Sequence, residues 1–442
     1  MRFMLPKTAA TLMIILGICA QAPAAPNEQF IPVTVFKTGP ISGMGIRIFG
    51  GLIDYLDLLN KRDGGVGGVK LTWEECESAF QIDRAVECYE RTKKKGPTGA
   101  SLYVAYHTGS IYALTERTAV DKIPIVHLNA GPVHASDGRV FPYVFPVGTS
   151  YWSGATGVIT YIGSREGGVD KLKGKKIVNL HMGNAYGKEP IPILEVAAKK
   201  YGFSLAHIEV PLPGIEQQAQ WLQIRQIKPD WIILQTAGAQ VTSALRMAQR
   251  TGFPTDRMVG LYGAGAEEDV IPAGEAAKGY AAWGMAPTGV DFPVIRDIKK
   301  FLYQGNSRGN LKDPDSIGGV TYNGGVVTGI IHTEAIRTAQ GKYGKKPLTG
   351  EQIRWGLEHL EINEKRLKAL GAVGLVPPLK LSCADHEGGA PIKFNQWDGR
   401  KWVTITDWVP SDQSIVRPMV EEAAAKYAKE KGIAQRDCAK ES

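Results

Sequence analysis

Residues 31–95 run through a strand, a glycine loop, an amphipathic helix, a second strand and a second helix, an order that commits the start of the chain to a parallel α/β layer. Residues 31–37 (IPVTVFK) form a β-branched run that breaks into Thr38-Gly39-Pro40-Ile41-Ser42-Gly43-Met44-Gly45, whose glycines permit a tight turn and close backbone approach. A helix follows, with Phe49, Leu52, Ile53, Leu56 and Leu59 on one face and Arg47, Asp54, Asp57 and Lys61 on the other. Residues 63–68 (DGGVGG) end it, 70–75 read as a strand, and Ile82, Ala85, Val86 and Tyr89 stripe the next helix.

The alternation continues to about residue 284. Residues 102–106 precede a helix near Ser110, 177–181 one near Gly187, and 231–235 one bearing Val241, Ala244, Leu245 and Ala248. Each pair is a βα unit of a parallel sheet with right-handed crossovers. A chain of 442 residues exceeds one core and divides into at least two domains. Residues 316–340 and 351–361 read as helices. Residues 391–397 and 401–408 read as a hairpin turned at Asp398-Gly399, and 418–431 as a polar helix outside the core pattern.

Arg2 and Lys7, an apolar run over 12–19 too short to span a bilayer, and Ala22-Pro23-Ala24 make residues 1–24 a secretory signal peptide, cut after Ala24. Ile18 before Cys19 argues against a lipid anchor. The formal charge of +8, two units of it from Arg2 and Lys7, is too small and too dispersed for nucleic acid binding, and Lys93-Lys94-Lys95 reads as a solvated helix end. Processing leaves Cys76, Cys88, Cys383 and Cys438, which allow three full pairings in an oxidising compartment. Local closure favours Cys76 with Cys88, and buried free thiols are the alternative.

The chemistry of an enzyme is not legible here. The chain has no G-x-S-x-G elbow, P-loop or H-E-x-x-H pair. Gly263-Ala264-Gly265 has Glu268 where a dinucleotide loop needs its third glycine, and Asp385-His386-Glu387 reads as a hydrogen-bonded turn rather than a metal site. No cofactor or metal is expected. What remains is a set of loops at strand carboxyl ends, where open α/β sheets bind ligands against free helix N–H groups. His107-Thr108-Gly109-Ser110 is one and Asn129-Ala130-Gly131 another; the Ser110 hydroxyl either caps its helix or bonds a ligand carboxylate.

The G-P-x-S-G loop at 39–43, the GGVGG turn at 64–68, Lys122-Ile123-Pro124-Ile125-Val126, residues 141–146 (FPYVFP), Asn184-Ala185-Tyr186-Gly187 and residues 228–234 (KPDWIIL) together resemble type I periplasmic solute-binding proteins of ABC importers, in particular the Leu/Ile/Val-binding group. The resemblance implies two Rossmann-like lobes joined by a multi-strand hinge with crossings near Thr149, near Met285 and after Val373. Lobe I would hold residues 27–148 and 285–375, lobe II 149–284 and 376–415, and a helical tail 416–442.

It further implies a small carboxylate solute captured between closing lobes by Thr108, Ser110 and the backbone of Asn129, Ala130 and Gly131 on one side. Tyr186, Gly238 and Glu267 face it from the other, with Glu267 or Glu268 balancing a ligand ammonium. Relatives often join the position of Cys76 to a site near 106–108, where this chain has no cysteine. It also departs from them in His107-Thr108-Gly109, where they have a serine-rich turn, and in the bulky Tyr151-Trp152. The implied function is a monomeric periplasmic receptor that serves an inner-membrane permease and binds a branched-chain or other hydrophobic amino acid. Aromatic acids, amides or urea are alternative solutes, and a ligand-sensing regulator of the same fold is a further alternative.

Overall fold

The computed structural model describes residues 27–305 and 309–441, so the leader read over residues 1–24 lies outside the described residues. The first lobe is built from β1 (Glu28–Val35), α1 (Ser42–Asp63), β2 (Lys70–Glu77), α2 (Ile82–Thr92), β3 (Tyr103–Val104), α3 (Thr108–Asp121), β4 (Ile125–Leu128) and β5 (Val144–Val147). Its five strands pair in parallel in the order β2-β1-β3-β4-β5.

After β5 the chain enters the second lobe through α4 (Tyr151–Glu166), β6 (Lys176–Met182), α5 (Ala185–Lys188), α6 (Ile191–Tyr201), β7 (Ser204–Val210), α7 (Gln218–Ile227), β8 (Trp231–Gln235), α8 (Ala239–Thr251), β9 (Met258–Gly260), α9 (Glu267–Val270) and β10 (Ala281–Trp283). It returns to the first lobe as α10 (Pro293–Leu302), α11 (Val320–Tyr343), α12 (Gly350–Glu358), β11 (Glu361–Ile362), α13 (Glu364–Leu370) and β12 (Leu379–Lys380). A last crossing adds β13 (Phe394–Trp397) and β14 (Trp402–Thr404) as an antiparallel hairpin on the edge of β10, giving the order β14-β13-β10-β9-β8-β6-β7. Every residue of β8 is buried, which is why a sheet covered by helices on both faces reads as an unbroken apolar run.

The long helix α1 keeps only part of the polar face its sequence pattern predicts, with Lys61 exposed and Arg47 and Asp57 partly so. It packs along α11 and beside α10, and Asp54, read as solvent-facing, is fully buried. Four donors hold the Asp54 carboxylate: Tyr303 Oη at 2.6 Å, Tyr322 Oη at 2.7 Å, and the Asn310 main-chain and side-chain nitrogens at 2.8 Å each. A carboxylate is tolerated there because its lone pairs are occupied. The two helices approach closely because glycines meet at the crossing. A Cβ on Gly51 would lie 2.1 Å from the Tyr322 carbonyl oxygen, and one on Gly325 1.9 Å from that of Ile48.

The C-terminal helix α14 (Gln413–Lys431) also departs from the reading of a helix outside the core. Val416, Val420, Ala424 and Ala428, spaced four apart, bury one stripe of it against α4 and α6 of the second lobe and a 3-10 turn, Val133–Ser136, of the first. Polar contacts fix it on both sides, Tyr201 Oη to Asp412 at 2.6 Å and Lys431 Nζ to Glu116 at 2.7 Å. Disulfides join Cys76 to Cys88, with Cα atoms 5.6 Å apart, and Cys383 to Cys438, at 5.7 Å.

Overpacking the helix crossing tests this account. Gly51→Ala and Gly325→Ala should each lower unfolding free energy by about 1–3 kcal/mol in urea titrations, because backbone rather than a movable side chain blocks the added methyl. Gly341→Ala, on the same helix with open space around its Cα, should cost nothing.

Candidate functional site

The carboxyl ends of both sheets face one gap between the lobes, and the gap holds a partly open cavity of about 440 Å³, counting the space that opens to solvent. The first lobe supplies Phe36, Ile41, Met44, Phe80, Tyr106 and Thr108 to its wall. The second supplies Tyr151, Met182, Tyr186, Ala237, Tyr262 and Gly263, with Met285 from the return crossing. Six of these thirteen follow a single rule of position: Phe36, Tyr106, Ala237, Tyr262 and Met285 each lie one or two residues beyond the end of a strand, and Met182 is the last residue of β6.

The wall is a linked set of rings. Tyr151 meets Tyr186 and Tyr262 edge-on, with centroids 5.4 and 5.8 Å apart, and Phe36 meets Phe80 the same way at 5.2 Å. The tyrosine hydroxyls are already engaged by protein. Tyr186 Oη donates to the Thr236 carbonyl at 3.2 Å, Tyr262 Oη to the Leu128 carbonyl at 3.0 Å, Tyr106 Oη pairs with Thr328 and Tyr151 Oη pairs with Thr108 at 3.2 Å. The cavity therefore sees ring faces and thioethers, with Thr108 the polar side chain of its wall and no charged residue lining it. His107, behind Thr108 and tilted against Phe80 with ring centroids 4.0 Å apart, adds no cation, since burial pushes its pKa down to about 4. The N–H groups of Thr108 and Gly109 open α3, where a helix leaves its first donors without intrahelical partners.

The structure sorts the residues singled out from the sequence. Thr108 and Tyr186 line the cavity. Ser110 does not cap α3: the N-cap is His107 without a side-chain cap, and the buried Ser110 hydroxyl pairs with His107 Nδ1 at 2.7 Å, off the cavity wall. Asn129 serves the hinge, where its amide donates to the Met285 carbonyl at 3.2 Å and accepts the Thr149 N–H at 2.8 Å. Ala130 is buried behind it, and Gly131 lies against the Glu189 carboxylate. Gly238, at φ 64°, donates its N–H to Asp269 and sits across the gap from Ile41. Glu267 accepts the N–H of Val320 at 2.9 Å and so caps α11, and the nearest cation to Glu268 is Arg47 at 3.8 Å. Neither glutamate lines the cavity.

The apolar wall residues escaped the sequence reading because a methionine or phenylalanine at a strand end is indistinguishable by pattern from core. Their spacing past each strand end is the signal that could have found them.

The chain matches the family model described as periplasmic binding protein over residues 28–401. Among solved structures it is similar to a crystal structure described as an ABC transporter permease from the Pseudomonas fluorescens group, with 46% identity and a TM-score of 0.89 over 93% of this chain and 100% of that one. It shares its fold with a branched-chain amino acid ABC transporter protein from Thermus thermophilus with bound valine, at 20% identity and TM-score 0.75 over 89% of this chain and 99% of that one. A solute-binding protein from R. palustris in complex with benzoate gives 18% identity and TM-score 0.66 over 87% and 97%. No curated sequence matches the chain.

Burial raises Glu267 and Asp269 to about 8, helped by the neighbouring Glu268, and raises Glu387 to about 7. A carboxyl whose folded pKa is raised stabilises fully below its unfolded value near 4 and loses that contribution as pH climbs through its folded value. Burial lowers His127 and His332 to about 3, which acts oppositely but ends near the unfolded histidine value of about 6.5. Melting temperature should therefore fall between about pH 6.5 and 8, and Glu267→Gln, which keeps an acceptor for Val320, should flatten that slope. A melting temperature that rises across this window in the parent protein would contradict the assignment.

Proposed function

This chain belongs to the periplasmic binding protein family, and from that premise we propose that it captures a small carboxylate with a flat, apolar body and presents it to an inner-membrane ABC permease. Members of the family are the substrate-binding proteins of ABC transporters, delivering small-molecule solutes rather than transforming them. Capture follows from the geometry: a solute touching Tyr106 and Thr108 on one lobe and Tyr186 and Tyr262 on the other gains its full set of contacts only with the lobes shut, which shifts the population toward the closed form. Export by a leader removed after Ala24, and work as a monomer in the periplasm, complete the reading.

The observation that carries the choice of solute is the cavity wall, rings and methionines with no charged side chain. An aromatic acid suits it, its ring between tyrosine faces and its carboxylate at the first N–H groups of α3 beside Thr108. A branched-chain amino acid is the second reading, favoured by the valine in the Thermus thermophilus neighbour. It needs a partner for its ammonium, and neither glutamate lines the cavity: Glu267 is turned to Val320, and Glu268 is buried 3.8 Å from Arg47. The benzoate held by the R. palustris neighbour supports the first reading.

Calorimetry with benzoate, benzamide and leucine separates these solutes. Benzoate should bind, and at a hundred times its dissociation constant should stabilise the fold by about 2.7 kcal/mol. Benzamide should bind more weakly because it lacks the charge that the helix N-terminus favours; tighter binding of leucine than of benzoate would reverse the ranking. Tyr186→Ala should weaken benzoate binding by about 1–2 kcal/mol through lost ring contact, read in the same titration.

A further inference from the structure

Glu189 follows the short helix α5, three residues after Tyr186, and its carboxylate reaches out of the second lobe into the first. Oε1 accepts the main-chain N–H of Val133 at 2.7 Å, and Oε2 accepts the hydroxyl of Tyr112 at 2.8 Å. Val133 lies in the turn after β4 and Tyr112 on α3, both in the first lobe. Behind the carboxylate, the Glu189 carbonyl accepts the Trp152 indole N–H at 2.8 Å, which fixes the residue to its own lobe. Gly131 leaves room for the carboxylate, since a Cβ there would stand 2.9 Å from Oε1. No lysine or arginine pairs with Glu189 among the described residues, so the carboxylate is held by neutral donors of the opposite lobe alone.

We propose that Glu189 is a closure latch, a positioning residue that does not line the solute cavity but whose two hydrogen bonds to the first lobe form only when the lobes are shut. Tyr186 and Glu189 occupy one helical turn, so movement of α5 against a solute and engagement of the latch are a single displacement. Burial raises the pKa of Glu189, consistent with its enclosure between the lobes. In an open form water would take the place of Val133 and Tyr112, and the latch would add nothing. The proposal rests on the solute-receptor reading above, and its effect is on the rate of opening rather than on solute encounter.

The test compares the parent with Glu189→Ala, Glu189→Gln and Tyr112→Phe, using benzoate and leucine as probes and hydrogen exchange at the Val133 amide as a readout that needs no solute affinity. Glu189→Ala should weaken whichever probe binds by about ten- to a hundredfold, mostly through faster release, without lowering the melting temperature of the unliganded protein. Glu189→Gln keeps an acceptor for Val133 and should lose about threefold or less, because no cation balances the native charge. Tyr112→Phe combined with Glu189→Ala should add little to Glu189→Ala alone. At Val133 the amide should exchange faster in Glu189→Ala than in the parent. The latch is overturned if Val133 exchanges alike in parent and variant with and without both probes, or if a bound probe is held equally well by both. Failure of both probes to bind the parent overturns the solute reading instead, and leaves the latch to be decided by the exchange comparison.

Discussion

A parallel sheet buried on both faces can offer ligand-accessible backbone only at its strand ends, and this chain builds two sheets, the second edged by an antiparallel hairpin, whose parallel strands' carboxyl ends face each other. The identity of the residues one or two places beyond each strand then decides what the gap can hold. Here those places carry Phe36, Tyr106, Tyr262 and Met285, so the gap becomes an apolar cavity and its chemistry is that of ring faces. Charge enters only at the margin, from the N-terminus of α3 and from carboxylates already committed to other work.

Those committed carboxylates explain how a chain with three crossings between lobes keeps its backbone satisfied. Segments between the sheets have no ladder partners, and their N–H and carbonyl groups must be paired some other way. Asn323 gives its amide to the Pro287 and Gly289 carbonyls, Asn129 bridges Met285 and Thr149, and Glu267 takes the first N–H of α11. Buried Glu387 accepts the N–H of Ser150 at the start of α4 in the same manner. Polar side chains near the hinge thus hold the hinge together, and the cavity wall is left to aromatic neighbours.

This division shows why some of the molecule was legible in its sequence and some was not. The parallel lobes were readable because apolar runs such as residues 231–235 and the stripe Phe49, Leu52, Leu56, Leu59 have periods that only strands and helices satisfy. Thr108 was readable as a wall residue because its loop opens a helix at a strand end, and Tyr186 was readable only through the family resemblance. Ser110, Asn129 and Glu267 carry the same local signature, yet a hydroxyl, an amide or a carboxylate beside a turn serves backbone as readily as ligand, and only the fold decides between them. Asp54 was misplaced for a related reason: its donors Tyr303, Asn310 and Tyr322 lie about 250 residues away, beyond any local pattern. The buried stripe of α14, whose small alanines signal little hydrophobicity, was hidden in the same way.

The central claim is that the cavity selects an apolar acid without an ammonium group, and native mass spectrometry of freshly purified protein tests it most directly. Retained solute, released and identified by its mass and fragments, should be a small carboxylic acid with a ring or other flat apolar body and no primary amine. Recovery of a stoichiometric α-amino acid would contradict the account and return the ammonium partner to Glu267 or Glu268.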